Sequence, residues 1–330
     1  MTAPGAMNGL KVMIIPGLTL REVAAHDLNR MRMAAGENAQ VFVCDYREAL
    51  RNASDVDVIL GIVPPELFAA APKLRWVQSI SSGVDSFMYP EFINSQVVLT
   101  SEKGLVGEHL ADHGFGLLLM LTRQLAAARD LGADAWNRRS QLRAQEIELS
   151  GLTMGIIGFG GTGRAMARRA TAFGMQVRAI DKDPVAPGEG VETIEQVSAL
   201  PQMLSACEVI SICCPLTEAT RNMINADTLA HVKPGAYLIN VTRGEVMDEQ
   251  AVVNALRSGR LRGAGLDVAP REPLPADSAL WQLPNVVMTP HTAGASQYRI
   301  QRNLARFIAN LKRFARGETL EGIIDKTQGY

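Results

Sequence analysis

His291, Glu272 and Arg243 are the side chains of this sequence best suited to move a proton and hold an anion. Each stands in a short polar stretch after an apolar, strand-like run. Arg243 sits in Ile-Asn-Val-Thr-Arg-Gly-Glu after 237–241, Glu272 in Leu-Asp-Val-Ala-Pro-Arg-Glu-Pro-Leu after 263–268, and His291 in Met-Thr-Pro-His-Thr-Ala-Gly after 286–289. An imidazole exchanges a proton near neutral pH. A carboxylate on its far nitrogen selects the tautomer and stabilises the imidazolium. A guanidinium clamps a carboxylate through its planar fork and polarises a carbonyl beside it. Taken singly, each has a plainer reading: a turn histidine after proline, a solvated glutamate, an arginine that caps or faces water. What joins them is their place after strands of one expected parallel sheet, whose carboxyl ends share an edge.

That edge also carries a glycine turn. Residues 154–157 read as a short buried strand, Gly158, Gly160 and Gly163 follow at GxGxxG spacing, 164–173 read as a helix with Ala165, Met166, Ala170 and Phe173 on its apolar side, and 176–180 read as a second strand ending in Asp181. The order gives the glycines distinct tasks: Gly158 the tight turn, Gly160 the approach of a pyrophosphate, Gly163 the close packing of helix on strand. The helix N-terminus offers unpaired N–H groups to the phosphates, and Asp181 accepts hydrogen bonds from a ribose. A dinucleotide such as NAD is implied, because the Asp181 carboxylate repels the 2′-phosphate of NADP. Lys182 next to it can turn towards such a phosphate, so NADP stays open as the lesser choice.

The elements that must position these groups alternate throughout. Strand-like runs at 11–15, 40–44, 56–63, 75–80 and 97–100 precede the glycine unit, with helical spacing at 21–33 and 66–71. Runs at 209–213, 237–241, 263–268 and 286–289 follow it, with helical stretches at 225–230 and 249–257. Alternation of this kind argues for parallel sheets covered by helices. Residues 108–129 read as one long helix and 131–150 as a polar, exposed arm. The stretch 297–316 reads as an amphipathic helix with Ile300, Leu304, Phe307, Ile308 and Leu311 on one stripe, stopped by Gly317. The 81–85 stretch, Ser-Ser-Gly-Val-Asp, lies at a strand's carboxyl end. Its residue types read first as an ordinary turn.

Composition narrows the field. A net charge of −1 and 20% charged residues supply no basic field for nucleic acid or an anionic membrane. The apolar run 115–121 is too short to span a bilayer, and residues 1–9 lack the form of a signal peptide, so the cytoplasm is expected. Cys44, Cys207, Cys213 and Cys214 form no metal-spaced pair and read as small buried hydrophobes. His109 and His113, at i and i+4, lack a third ligand and read as packing or surface residues; no metal is expected.

The set Gly-Phe-Gly-Gly-Thr-Gly with Asp181, Cys-Pro-Leu-Thr at 214–217, and the three stretches around Arg243, Glu272 and His291 resembles the D-isomer-specific 2-hydroxyacid dehydrogenases over essentially the whole chain. Ser-Gly-Val-Asp at 82–85 and Val-Gly-Glu-His at 106–109 are similar to that family too. The resemblance implies an α/β chain of two doubly wound parallel-sheet domains, with a Rossmann NAD-binding domain over 105–295 inserted into a flavodoxin-like substrate domain made of 1–104 and 296–330. It implies that Arg243, Glu272 and His291 are catalytic. It turns Ser82, Gly83 and Val84 from a plain turn into the loop whose backbone meets a substrate carboxylate. It places the cofactor against Gly158, Gly160, Gly161, Thr162, Gly163, Asp181, Cys214, Pro215 and Thr242, with Asp267 as a supporting acid. The implied reaction is hydride transfer between NAD(H) and C2 of a small D-2-hydroxy or 2-keto acid. The arm at 131–150 resembles the family's dimer contact and implies a homodimer. Two other readings share the fold: an NAD-sensing binding protein or corepressor without turnover, and a formate or phosphite dehydrogenase. Related formate dehydrogenases usually carry Gln at the position of Glu272, which favours hydroxyacid chemistry. Cys213 stands where the family often has His, a departure in the cofactor pocket, and no C-terminal regulatory domain is expected after Tyr330.

Overall fold

The computed structural model describes residues 9–330. The reading of the N-terminus as free of a signal peptide rests mostly on residues 1–8 and lies outside the described residues. The chain forms two compact units: Met1–Leu105 with Ala295–Tyr330, and Val106–Gly294.

In the first unit, β1 (Lys11–Ile14), β2 (Gln40–Val43), β3 (Val58–Leu60), β4 (Trp76–Gln78) and β5 (Val98–Thr100) form a parallel sheet in the order β2-β1-β3-β4-β5. That is the flavodoxin-like order. Strand side chains alternate between two cores. Val12 and Ile14 pack with Met31, Phe307 and Leu311 on one face. Met13 and Ile15 pack with Ala49, Leu67 and Phe92 on the other. Burial on both faces is why these strands read as short, unbroken apolar runs. The last helix, Arg299–Ala315, is tied to the end of β5 by Glu102, 1% exposed, which accepts from Arg299 Nε at 3.0 Å and Asn303 Nδ2 at 3.0 Å.

The second unit has seven parallel strands: β6 (Thr153–Ile157), β7 (Gln176–Ile180), β8 (Ile194–Glu195), β9 (Val209–Ile212), β10 (Ala236–Asn240), β11 (Leu261–Leu266) and β12 (Val286–Met288), in the order β12-β11-β10-β9-β6-β7-β8. From β6 the chain winds outward to β7 and β8, returns to β9, and winds outward on the other side. The reversal falls between β6 and β9, the switch point at which open α/β sheets bind ligands. Helices Gly107–Thr122 and Gly161–Ala172 bury Phe115, Leu118, Met166 and Ala170 against one face. Helices Leu200–Ala206 and Glu249–Arg257 bury Met203, Leu204, Val252 and Leu256 against the other. Two doubly wound parallel sheets are what the alternation of elements leads one to expect.

Several details differ from expectation. The long helix expected over 108–129 stops at Thr122, because Gln124 adopts a left-handed conformation (φ 54°) and its Nε2 donates to the Leu121 carbonyl at 2.9 Å. A new helix, Leu125–Leu131, then opens the exposed arm. The helix after the glycine turn begins at Gly161, not at residue 164, so Gly161, Thr162 and Gly163 form its first turn. Phe173 caps that helix and stays 42% exposed, although it stacks on Phe115 at 5.2 Å. Ile300 is 41% exposed and lies off the buried stripe of the last helix. Helix Tyr46–Asn52 was not expected, yet it carries a full capping box between Asp45 and Glu48. Among the described residues no helix is long and apolar enough to cross a membrane.

Candidate active site

The glycine turn has the shape a pyrophosphate needs. Gly158 takes φ 92°, and a Cβ built on it would lie 2.7 Å from the Cys214 nitrogen. A side chain is therefore excluded twice, by conformation and by the backbone of the neighbouring strand end. A Cβ at Gly163 would meet the Gly158 carbonyl oxygen at 2.1 Å, whereas one at Gly160 would meet nothing within 4 Å. Two glycines thus serve packing and the third leaves open space before the helix N-terminus. Asp181 braces the same turn: Oδ2 accepts from Phe159 N–H at 2.7 Å and Oδ1 from Asp183 N–H at 3.0 Å. The open space at Gly160 and the helix N-terminus behind it fit a dinucleotide. Burial pushes the Cys213 and Cys214 thiols up to about 12, so both remain thiols and line the turn as apolar groups. All four cysteines are unpaired and buried.

Further along the sheet, β10, β11 and β12 are consecutive neighbours, and their carboxyl ends carry Arg243, Glu272 and His291. His291 Nδ1 lies 2.7 Å from Glu272 Oε2, while Glu272 Oε1 accepts from Ala269 N–H at 3.1 Å. The carboxylate is thereby oriented by the backbone of its own loop, and it in turn orients the ring. With Nδ1 on a carboxylate, the neutral ring keeps its proton there and leaves Nε2 as an acceptor. Both side chains are part-exposed, 44% for His291 and 38% for Glu272.

The turn that carries His291 is built around Asp267, 1% exposed at the end of β11. Oδ1 accepts from Thr289 Oγ1 at 2.6 Å and Thr292 N–H at 2.8 Å, and Oδ2 accepts from Ala293 N–H at 2.8 Å. The Asp267 carbonyl accepts from His291 N–H at 2.7 Å. His291 is left-handed, with φ 54°, a conformation costing about 1 kcal/mol for a side chain of this kind. These four hydrogen bonds hold it there. Asp267 therefore braces the histidine turn.

Arg243 is positioned by a residue the sequence reading passed over. Asn240, fully buried at the end of β10, donates from Nδ2 to the Arg243 carbonyl at 2.8 Å and accepts at Oδ1 from Thr242 N–H and Oγ1 at 3.0 and 3.1 Å. Arg243 Nη1 donates to the Thr242 carbonyl at 2.8 Å. The next residue has no room for a side chain: a Cβ at Gly244 would lie 1.9 Å from the Ala269 carbonyl carbon. That contact seats the Arg243 loop on the loop that carries Glu272. A polar residue ending an apolar strand was the available signal for Asn240.

The Ser82–Gly83–Val84 turn belongs to the first unit. Ser81 Oγ donates to the Gly83 carbonyl at 2.7 Å and lies 3.0 Å from Ser79 Oγ, and Ser81 N–H donates to Ser79 Oγ at 3.1 Å. In a trans peptide the N–H points opposite to the C=O. Pinning the Gly83 carbonyl on Ser81 therefore turns the Val84 N–H away from the serine.

Residues 115–293, more than half of the chain, match the model of the D-isomer specific 2-hydroxyacid dehydrogenase NAD binding domain. The glyoxylate reductase of Korarchaeum cryptofilum is 34% identical over 286 residues, 84% of this chain and 85% of that protein. The crystal structure of a D-isomer specific 2-hydroxyacid dehydrogenase family protein from Aeromonas salmonicida superposes with a TM-score of 0.80 at 31% identity, covering 96% of this chain and 99% of that one. An NADPH-dependent glyoxylate/hydroxypyruvate reductase from Sinorhizobium meliloti, solved with NADP and sulfate, reaches a TM-score of 0.78 at 26% identity over 97% of this chain and all of that one. Together with the strand orders of the two units, these matches place the chain in the family of D-isomer specific 2-hydroxyacid dehydrogenases, oxidoreductases that use NAD(P).

Proposed function

We propose that the protein reduces a small 2-keto acid to the D-2-hydroxy acid, and runs the reverse oxidation, with His291 as proton donor and acceptor. The observation that carries this reading is the 2.7 Å pair between His291 Nδ1 and Glu272 Oε2 on the sheet edge that also bears the glycine turn. Bound NADH supplies the hydride that adds to C2. As the carbonyl π electrons move onto oxygen, that oxygen takes a proton from His291 Nε2, and Glu272 stabilises the imidazolium beforehand. Arg243 clamps the substrate carboxylate and polarises the C2 carbonyl. The Ser82–Val84 turn is assigned to carboxylate binding by its resemblance to the family loop. In the oxidation direction the neutral ring accepts the hydroxyl proton at Nε2.

Several relatives bear names that include glyoxylate, so the smallest keto acids come first. Absorbance of NADH followed with glyoxylate, hydroxypyruvate, pyruvate and longer keto acids should show turnover that is fastest on the first two. No turnover on any of them would favour an NAD-binding protein without catalysis, and NAD reduction by formate or phosphite would redirect the assignment to those anions. The same assay addresses the cofactor. The Asp181 carboxylate, fixed by two backbone N–H groups, accepts from a ribose diol and repels a 2′-phosphate. NADH is therefore expected to exceed NADPH in kcat/KM by more than about tenfold, because like-charge juxtaposition disfavours the 2′-phosphate and about 1.4 kcal/mol is a factor of ten. The S. meliloti protein binds NADP, and a preference for NADPH here would overturn the assignment.

We also propose a homodimer formed through the arm between Leu125 and Gln145. Trp136 and Leu125 are 80% and 53% exposed there, and a concavity beside Trp136 is lined by Arg139, Leu142 and Arg143. An apolar surface rimmed by charge is the usual sign of a protein contact. Light scattering should give twice the chain mass, and Trp136→Glu should give the monomer. A monomeric wild-type chain at micromolar concentration would remove the assignment.

A further inference from the structure

His113 has a partner far from it in sequence. It sits on helix Gly107–Thr122 with its side chain 24% exposed, and its Nε2 lies 2.7 Å from Thr289 Oγ1. Thr289 Oγ1 lies 2.6 Å from Asp267 Oδ1, and His113 Nε2 lies 3.5 Å from that same oxygen. The direction of the chain follows from what each group can do. An ionised carboxylate only accepts, so the single hydroxyl proton of Thr289 goes to Asp267. Thr289 Oγ1 must then accept from His113, and His113 Nε2 carries a hydrogen. The relay runs His113 to Thr289 to Asp267, and Asp267 holds the backbone of Thr292 and Ala293 and, by its carbonyl, of His291.

We propose that His113 is a positioning residue for His291. Its Nε2–H fixes the Thr289 hydroxyl on Asp267, and this sets the turn that brings the His291 ring onto Glu272. The proposal rests on the reading of His291 as the acid/base. A hydroxyl left without its donor can rotate away from Asp267, and the turn then loses one of the bonds that keep His291 left-handed. The consequence is misalignment at the reacting atom, not loss of the fold or of the dinucleotide turn, which lies on other strands.

The test is His113→Leu and His113→Gln beside Thr289→Val and the double variant His113→Leu/Thr289→Val. The readouts are kcat and KM on glyoxylate, Kd for NADH by fluorescence titration, and Tm. His113→Leu should lower kcat by about 10- to 100-fold, the usual cost of a small misplacement, with Kd for NADH within about twofold. His113→Gln, whose amide nitrogen can donate to Thr289, should recover most of the loss. Thr289→Val should match His113→Leu, and the double variant should be no slower than Thr289→Val. A kcat within twofold of wild type in His113→Leu, no recovery in His113→Gln, or additive losses in the double variant would each overturn the relay. Should His113→Leu fail to fold, Thr289→Val decides alone: wild-type kcat there overturns the proposal. His291→Ala is assayed alongside. If it is inactive while His113→Leu is normal, only the relay fails; if it keeps turnover, the acid/base reading fails and the relay with it.

Discussion

His291→Ala is expected to lower kcat for keto-acid reduction by about 10²- to 10⁴-fold, the span that a positioned proton donor contributes. Kd for NADH should stay within about twofold, since the glycine turn and Asp181 lie on β6 and β7 and the histidine turn follows β12. The side chain is 44% exposed, so its removal takes little from the core. The backbone is the part to guard. Residue 291 is left-handed, and its N–H donates to the Asp267 carbonyl at 2.7 Å. Asparagine tolerates that conformation better than alanine does. His291→Asn is therefore the companion variant, keeping the turn while removing the imidazole. Both variants should be equally slow with NADH binding intact. Near-wild-type turnover in His291→Asn would mean that the proton comes from elsewhere.

Much of this site was legible in the sequence because its parts are set by local rules. The glycine turn reads directly, since φ 92° at Gly158 and the missing space at Gly163 admit no other residue without strain. Strand ends read well because apolar runs buried on both faces stop where polar residues begin, and that put Arg243, Glu272 and His291 on one edge. What did not read depends on individual side-chain contacts and backbone conformations that no pattern of residue types displays. His113 and Thr289 are 176 positions apart, and the i, i+4 spacing of His109 and His113 pointed only to each other. Asn240 looks like one more polar residue at a strand end until its side chain is seen holding both Thr242 and Arg243. The break at Gln124 depends on a single left-handed residue with a self-made cap, which no periodicity reveals. The helix Tyr46–Asn52 is different: its Asp45-x-x-Glu48 box was in plain view, and the short, polar segment behind it lacked the apolar stripe that would have drawn notice.

Arg243→Ala should lower kcat/KM on glyoxylate by about 10³-fold, and Arg243→Lys by about 10²-fold, as befits loss of a fixed donor to a developing charge. The backbone supports a clean experiment. Asn240 grips the carbonyl of residue 243 and the amide of Thr242, and Gly244 seats the loop on Ala269, so none of these contacts uses the arginine side chain. Lysine restores the charge but offers a point donor in place of a planar fork. The gap between the two variants therefore measures what the charge supplies, and the loss that remains in the lysine variant measures the planar fork. Carboxylate anchoring acts in the ground state and carbonyl polarisation grows in the transition state, so KM should rise and kcat should fall together. A simple aldehyde without a carboxylate separates them. On glycolaldehyde the alanine variant should lose only the polarisation share, far less than on glyoxylate. Equal losses on the two substrates would show that Arg243 does not hold the carboxylate. An Arg243→Lys enzyme within twofold of wild type on glyoxylate would show that the planar fork is not required.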